Sequence, residues 1–269
     1  MYRDTMTNGE SFAAADVRIT YDDLVPDREA SGVGSDPAPV VLLHGFASSR
    51  RENWRERGWY ETLLAEGRRV IALDCRGHGE SGKPRDPEAY ETATMADDVV
   101  ALLDHLEVEE ADLLGYSMGG RLSLELLAAH PERFNAGVLA GIGSASLSDT
   151  GGSDAIADAL AADDLESVSN PIGRRFRRFA ETTDNDLEAL SACARQRTPP
   201  ADWETVAGID TPVSVVAGER DGLVGDPRKL ADGFPNGEAV VVPDADHLTT
   251  VPDDAFEEAV VDFLEREGL

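Results

Sequence analysis

The sequence predicts a doubly wound α/β fold: a mostly parallel sheet of about eight strands, with a helical cap inserted after its middle. Three observations carry the prediction. Short, continuously apolar runs alternate with amphipathic helical stretches, the pattern of strands buried on both faces and joined by right-handed crossovers. One run, Ala111 to Leu114, stops at Gly115 and leads at once into a helical pattern at Leu122, Leu124, Leu126 and Leu127. From Gly141 to about Pro200 no strand character is visible, and it returns afterwards.

Residues 1 to 15 read as a frayed start with an edge strand around Ser11 to Ala14. Val17, Ile19 and Tyr21 alternate with Arg18 and Thr20, which predicts a half-exposed strand. Pro26 to Pro39 is rich in turn formers and reads as a surface loop. Val40 to Leu43 and Val70 to Leu73 are buried strands, separated by a short helix over Trp59 to Glu66. Thr94 to Leu106 is amphipathic through Val99, Leu102, Leu103 and Leu106. Ala136 to Ala140 is the next buried strand. In the inserted stretch, helices are expected around Ala155–Leu160, Ile172–Ala180 and Asp186–Ala194. Strands follow at Pro212–Ala217 and Ala239–Val242, and Phe256–Leu264 closes as an amphipathic helix. The expected division is a core of residues 1–142 and 200–269 with a cap at 143–199. Gly141-Ile142-Gly143 lacks the third glycine of a dinucleotide fingerprint and reads as the cap hinge.

A chain of 269 residues suits one large domain of this kind. Asp and Glu number 53 against 24 Lys and Arg, for a formal charge of −29. Such a surface repels phosphates, so nucleic acid is excluded as a partner. Lys83 and Lys229 are the only lysines. Acid excess with lysine depletion resembles the proteins of salt-loving archaea, and a halophilic protein is expected. Cys75 and Cys193 read as free core thiols rather than a disulfide framework. Neither an apolar signal region nor a run long enough to span a membrane is present. The expectation is a cytoplasmic monomer or homodimer that takes a small-molecule substrate, with no membrane partner, cofactor or metal.

The chemistry centres on Gly115-Tyr116-Ser117-Met118-Gly119. Gly-x-Ser-x-Gly between a strand and a helix is a nucleophile elbow. The strained turn and the close passage of strand and helix need residues without a Cβ. The serine hydroxyl then stands at the carboxyl end of the strand, over a helix N-terminus that favours developing negative charge. A hydroxyl is a poor nucleophile at neutral pH, so it needs a base and a group to orient that base.

Leu42-Leu43-His44-Gly45-Phe46, Asp74 to Ser81, Gly115 to Gly120, Gly218-Glu219-Arg220-Asp221 and Asp246-His247 together resemble the α/β-hydrolase superfamily, over roughly Val17 to Leu264. The resemblance implies a serine-hydrolase triad under a helical lid, with partners in the order Ser, Asp or Glu, His. His44, His78 and His105 precede Ser117, and His130 ends the elbow helix, which leaves His247 as the base. Asp221 follows a strand and is the first choice of acid; Glu219, Asp226 and Asp246 are its rivals. Asp244 and Asp246 are better suited to capping the His247 loop. The oxyanion donors implied are the N–H groups of Met118 and Phe46. His44, His78 and Arg76 read as packing and turn residues. Ser117 speaks against epoxide hydrolases and haloalkane dehalogenases, which carry Asp at the elbow.

The expected function is hydrolysis of a small carboxylic ester or related acyl substrate through Ser117, His247 and Asp221. Arg121, after Gly119-Gly120, resembles its counterpart in the menaquinone-pathway lyase of this fold, which handles an anionic substrate. Arg121 is therefore a substrate-binding candidate for a lyase or C–C hydrolase, and the cap residues Arg174, Arg175, Arg177 and Arg178, around Phe176 and Phe179, are candidates to present positive charge to a carboxylate. The plainer readings are an ion pair for Arg121 and a solvated helix face for the other four. A non-catalytic receptor of the same fold is the alternative from another class.

Overall fold

The computed structural model describes residues 9–27, 37–147, 153–183, 185–196 and 201–268. Its centre is an eight-stranded sheet in the order β1-β2-β4-β3-β5-β6-β7-β8. The strands are β1 (Glu10–Ala14), β2 (Val17–Leu24), β3 (Val40–Leu43), β4 (Val70–Asp74), β5 (Ala111–Tyr116), β6 (Phe134–Ala140), β7 (Val213–Gly218) and β8 (Gly237–Val242). The β1–β2 and β2–β4 pairs are antiparallel and the rest are parallel.

Side-chain alternation explains the two layers. Val41 and Leu43 of β3 face one apolar cluster with Ile71 and Leu73 of β4. Helices α3 (Thr92–His105) and α4 (Met118–Ala129) cover that side through Val99, Leu102, Leu122 and Leu126. Val40 and Leu42 face the opposite cluster. There α2 (Trp59–Ala65) and α10 (Asp254–Glu267) supply Trp59, Leu63, Phe256, Val260 and Phe263, and Trp54 joins from just after α1 (Arg50–Asn53). A sheet packed on both faces needs apolar side chains at every position, which is why its central strands read as unbroken apolar runs.

Between β6 and β7 the described residues form helices and no strand. These are α5 (Ser153–Ala161), α6 (Pro171–Thr182), α7 (Leu187–Arg195) and α8 (Trp203–Ala207). Helices α5 to α7 share a small apolar cluster of Ala157, Leu160, Ala180, Leu190 and Ala194, which Ala47 from the loop after β3 joins. Another short helix, α9 (Pro227–Ala231), follows β7. The start of the chain to residue 8, much of the 26–39 loop and the 197–200 end of the expected cap lie outside the described residues.

Strand β2 is more buried than its alternation predicts. Thr20 and Asp22 are buried as well as Ile19 and Tyr21. The Thr20 N–H donates to Ser81 Oγ at 2.8 Å, and Asp22 accepts from the Tyr60 hydroxyl at 3.0 Å. A polar side chain with such partners is stable under cover. Helices α1, α8 and α9 escape a reading from periodicity because four or five residues complete barely one turn.

Candidate active site

Strand β5 ends at Tyr116, and the chain turns at Ser117 with φ 55° and ψ −105°. That conformation is costly for a residue with a Cβ, so its surroundings must enforce it. The Ser117 N–H donates to Ala140 O at 2.8 Å, which ties the turn to β6. Helix α4 starts directly beneath. A Cβ on Gly119 would strike the Leu43 carbonyl, and one on Gly115 the Gly119 carbonyl. The elbow glycines are thus required by the approach of helix to sheet.

The Ser117 side chain does not cap its own helix. Instead Ser117 Oγ lies 2.9 Å from His247 Nε2, and His247 Nδ1 lies 2.6 Å from Asp221 Oδ2. The carboxylate fixes the proton on Nδ1, so Nε2 is the acceptor for the serine hydroxyl. Asp221 is 7% exposed and His247 8%. Asp221 leaves the end of β7, and its second oxygen accepts from Leu223 N–H at 3.1 Å. The His247 loop is held by Asp246, which accepts from the N–H groups of Leu248 at 2.9 Å and Thr249 at 3.1 Å. Those bonds hold the Asp246 carboxyl below its usual range. The Tyr116 hydroxyl donates to His247 O at 2.6 Å, so the strand carrying the serine also pins the histidine backbone.

The rival acids are engaged elsewhere. Glu219 accepts from Asp244 N–H at 3.1 Å, and Asp226 caps α9 through Arg228 N–H at 3.0 Å. Asp246 is occupied in its own turn. Asp244 pairs with Arg220 rather than capping the loop.

Neither Met118 N–H nor Phe46 N–H has an acceptor among the described residues. Met118 opens α4, whose first N–H groups have no helical partner. The Gly45 carbonyl accepts from His44 Nδ1 at 2.8 Å and from Ser48 N–H at 3.1 Å. A trans peptide sets its N–H opposite its carbonyl, so these bonds aim the Phe46 N–H away from them. His44 Nε2 accepts from Cys75 N–H at 3.0 Å, which fixes the tautomer that donates to Gly45. Gly45 N–H is held in turn by Asn53 Oδ1 at 3.1 Å.

Burial pushes His44 down to about 4 and its neighbour His78 down to about 3. Both are neutral imidazoles, as packing residues should be. Arg76 makes a two-pronged pair with Asp98, both bonds 2.7 Å, and anchors the loop after β4. Among the described residues no group of three His, Cys, Asp or Glu side chains is arranged to hold a metal ion, and no helix is long and apolar enough to cross a membrane.

Arg121 is half-buried on α4, and burial lowers its affinity for a proton. Its guanidinium has no hydrogen-bond or ion-pair partner among the described residues, so the expected ion pair is absent there. The α6 arginines serve separate ends. Arg177 donates to Ala159 O, Leu160 O and Ala162 O and so closes α5, while Arg174 holds Leu165 O and Val168 O. Arg175 approaches Asp246 at 3.4 Å. Arg177 and Arg174 thus tie down two carbonyl-rich turns while Arg175 meets a carboxylate, and the three do not form a common anion site. Sequence reading missed His44 as a peptide-orienting group and missed Asn53 altogether, since both act on backbone atoms.

A strained serine at the end of a central parallel strand, backed by an imidazole and a carboxylate, is a constellation suited to acyl transfer. The model of the alpha/beta hydrolase fold family matches residues 38–191, and the chain belongs to that family. A hydrolase from Pseudomonas aeruginosa PA01 is 27% identical, with a TM-score of 0.76 over 96% of this chain and 99% of that one. The enol-lactonase from Burkholderia xenovorans LB400 is 26% identical, with a TM-score of 0.70 over 95% and 100% of the two chains. A Bacillus subtilis (strain 168) protein provisionally named 2-succinyl-6-hydroxy-2,4-cyclohexadiene-1-carboxylate synthase is 28% identical over 87% of this chain and 93% of its own length. Relatives named as hydrolases and lactonases support an enzyme.

Proposed function

We propose that the protein is a serine hydrolase of small carboxylic esters and related acyl compounds. The observation that carries this reading is the chain of hydrogen bonds from Asp221 through His247 to Ser117 Oγ, ending at the strained elbow. In the proposed reaction Ser117 Oγ attacks the acyl carbon while His247 Nε2 takes its proton. The carbonyl oxygen becomes an oxyanion, stabilised by the N–H groups of Phe46 and Met118 and by the N-terminus of α4. His247 then gives its proton to the leaving alkoxide, and an acyl-serine remains. Water, deprotonated by His247, attacks that ester, and the imidazolium returns the proton to Ser117 Oγ as the acid leaves. Asp221 holds the Nδ1 proton and stabilises the imidazolium at each stage. The helices within 143–199 act in this reading as a cap over Ser117, roofing the pocket.

The test is turnover of short-chain aryl esters by the wild type and by Ser117→Ala and His247→Ala, with mass spectrometry of protein quenched during turnover. Loss of several orders of magnitude in both variants is expected, because the three groups act as a unit. The acyl adduct should map to Ser117. Full activity in Ser117→Ala, or no turnover of any ester, lactone or anionic substrate by the wild type, rejects the reading; the second result favours a receptor.

One observation favours a narrower, second reading. A half-buried guanidinium without a partner, four residues after the serine, suits a substrate that carries a carboxylate. The relative from Bacillus subtilis is named for a carboxylate product. In that reading the same three residues serve a lyase or C–C hydrolase. An Arg121→Ala variant that loses activity on anionic substrates more than on neutral esters supports it, and equal loss removes it.

A further inference from the structure

The turn that carries Phe46 is not held by the sheet alone. Ala47 has φ 60°, the left-handed region that residues with a Cβ avoid, so neighbouring contacts must keep it there. Those contacts come from the inserted helices. Ala47 is fully buried in the small apolar cluster of α5, α6 and α7, and Phe46 packs against the same cluster. The Phe46 ring also meets the Phe176 ring of α6 edge-on, at 5.9 Å.

The polar contacts converge on one side chain. Asn185, between α6 and α7, is 8% exposed. Its amide nitrogen donates to Ala47 O at 3.0 Å and lies 3.4 Å from Ser48 O and 3.0 Å from Thr183 Oγ1. Its amide oxygen accepts from Gly79 N–H at 2.9 Å, in the loop after β4. Thr183 Oγ1 adds a bond to Ala47 O at 2.8 Å. The amide orientation follows from the partners, because Gly79 N–H requires an oxygen and the two carbonyls require donors. Asn185 thus joins the inserted helices, the 46–48 turn and the 75–82 loop.

We propose that Asn185 is a positioning residue for the oxyanion donor at Phe46, so that docking of the inserted helices and completion of the oxyanion site are one event. The inference rests on the reading of Phe46 N–H as an oxyanion donor. The reasoning is geometric. Pulling on the Ala47 and Ser48 carbonyls fixes the two peptides that follow Ala47 and so holds the far side of the turn, while His44 fixes the peptide that precedes Phe46. With either hold gone, the strained turn can relax and swing the Phe46 N–H out of line. An oxyanion donor acts only when it is already aimed at the place where charge develops. The inserted helices would then contribute to rate as well as to substrate choice.

The experiment compares Asn185→Ala, Asn185→Asp and Thr183→Val with the wild type. It reads kcat and KM on a short aryl ester, the inhibition constant of an arylboronic acid, and the melting midpoint. The tetrahedral boronate formed on a serine places an oxygen where the oxyanion stands, whereas the planar ester does not. Asn185→Ala should lower kcat by about 10- to 100-fold, less than complete loss of a donor, with KM within about threefold. Boronate affinity should fall by the same factor as kcat/KM. Asn185→Asp keeps the acceptor for Gly79 but loses both donors, so it should fall at least as far. Thr183→Val should show a smaller loss of the same kind, and it carries the test if Asn185→Ala fails to fold. Unchanged kcat in a folded Asn185→Ala, or in Thr183→Val where Asn185→Ala fails to fold, overturns the proposal. So does a fall in kcat with undiminished boronate affinity, or a rise in KM alone. Ser117→Ala separates the two levels: if it keeps its activity the serine reading fails and this inference with it, whereas an inactive Ser117→Ala beside a fully active Asn185→Ala rejects only the inference.

Discussion

Asp221→Asn is the sharpest single perturbation, because it changes one atom in a side chain that makes two defined bonds. One carboxylate oxygen accepts from Leu223 N–H at 3.1 Å and the other faces His247 Nδ1 at 2.6 Å. An asparagine can satisfy only one of them as an acceptor. If its oxygen stays on Leu223, its NH2 faces Nδ1, forces the proton onto Nε2 and leaves nothing to accept the Ser117 proton. If the amide flips, the histidine keeps its tautomer but the NH2 confronts the Leu223 N–H. Setting an NH2 against that part-buried N–H costs about 1–2 kcal/mol, so the competent orientation is a minority. Even then a neutral amide stabilises the imidazolium less than a carboxylate does, by about another 1.5–3 kcal/mol. At about 1.4 kcal/mol per tenfold, the two effects together predict a loss of about 10²- to 10⁴-fold in kcat. The fold should be untouched, since the two side chains are nearly isosteric. Stopped-flow ester hydrolysis, with a thermal melt as control, measures both. Parallel variants Glu219→Gln, Asp226→Asn and Asp246→Asn should stay within about tenfold of wild type on the same scale. A loss below tenfold in Asp221→Asn, or a larger loss in any of the three, would refute the assignment of the acid.

Gly119→Ala should destabilise the protein by about 1–3 kcal/mol and abolish most activity, because its Cβ meets the Leu43 carbonyl and α4 must back away from β3; a melt and an ester assay check it, and a wild-type midpoint would contradict it. Acid should destabilise the fold through His44 and His78: with folded values of about 4 and about 3 against about 6.5 unfolded, the unfolded chain binds more protons in that window, so stability is lost as pH falls from about 6.5 toward about 4. By pH 5 this amounts to about 2 kcal/mol for each ring; urea titrations at high salt should show His78→Asn reducing the pH slope by about half, and an unchanged slope would count against it. Burial pushes Cys193 up to about 12 and also holds Cys75 well above the usual thiol range, so a thiol reagent such as dithionitrobenzoate should react with neither until the chain unfolds. With a formal charge of −29, melting midpoint and activity should rise together between about 0.1 M and above about 1 M KCl, as screening shortens from about 10 Å to about 3 Å; a flat midpoint would end the halophilic reading.

What could be read from the sequence was whatever is local along the chain. The elbow shows itself because Gly115, Ser117 and Gly119 are neighbours, although only the steric need for Gly115 lies within the turn, that for Gly119 coming from Leu43 on β3. Strand ends were visible as the places where apolar runs stop, and Asp221 and His247 both follow such ends. The capping role of Asp246 was legible for the same reason, as the N–H donors it accepts from lie two and three residues on. What was hidden acts at long separation or on backbone atoms. Asn185 meets Gly79 across 106 residues and Ala47 across 138, and nothing in its polar surroundings marks it. The arginines of α6 looked alike because their spacing is helical, yet their acceptors are carbonyls at the ends of other segments. Strand β2 looked half-exposed because hydropathy cannot show that Asp22 lies near Arg50 and Tyr60.

The charge imbalance of this chain and the order of its site are governed by two separate populations of charge. The excess carboxylates lie mainly on the surface, where water and salt weaken their mutual repulsion. Three cations beside the site, Arg50, Arg76 and Lys83, are buried or half-buried and matched, whereas the Arg121 guanidinium is half-buried and unpaired among the described residues. Arg50 sits against Asp74 and Asp22, with Glu80 at 2.7 Å, and Arg76 grips Asp98. Lys83 gives all its donors to the carbonyls of His78, Gly79 and Ser81, at 2.6–2.9 Å. Guanidinium suits the first two positions because its planar fork satisfies several acceptors at once, so little of the buried charge is left unpaired. Removing one member of such a pair leaves an uncompensated charge under cover, at a cost of about 3–5 kcal/mol. Salt screens exposed charges well and buried pairs poorly. Raising it therefore relieves the surface and leaves the loops that carry His44, Phe46 and Gly79 held as they were, which is how a strongly acidic exterior can surround a tightly ordered site.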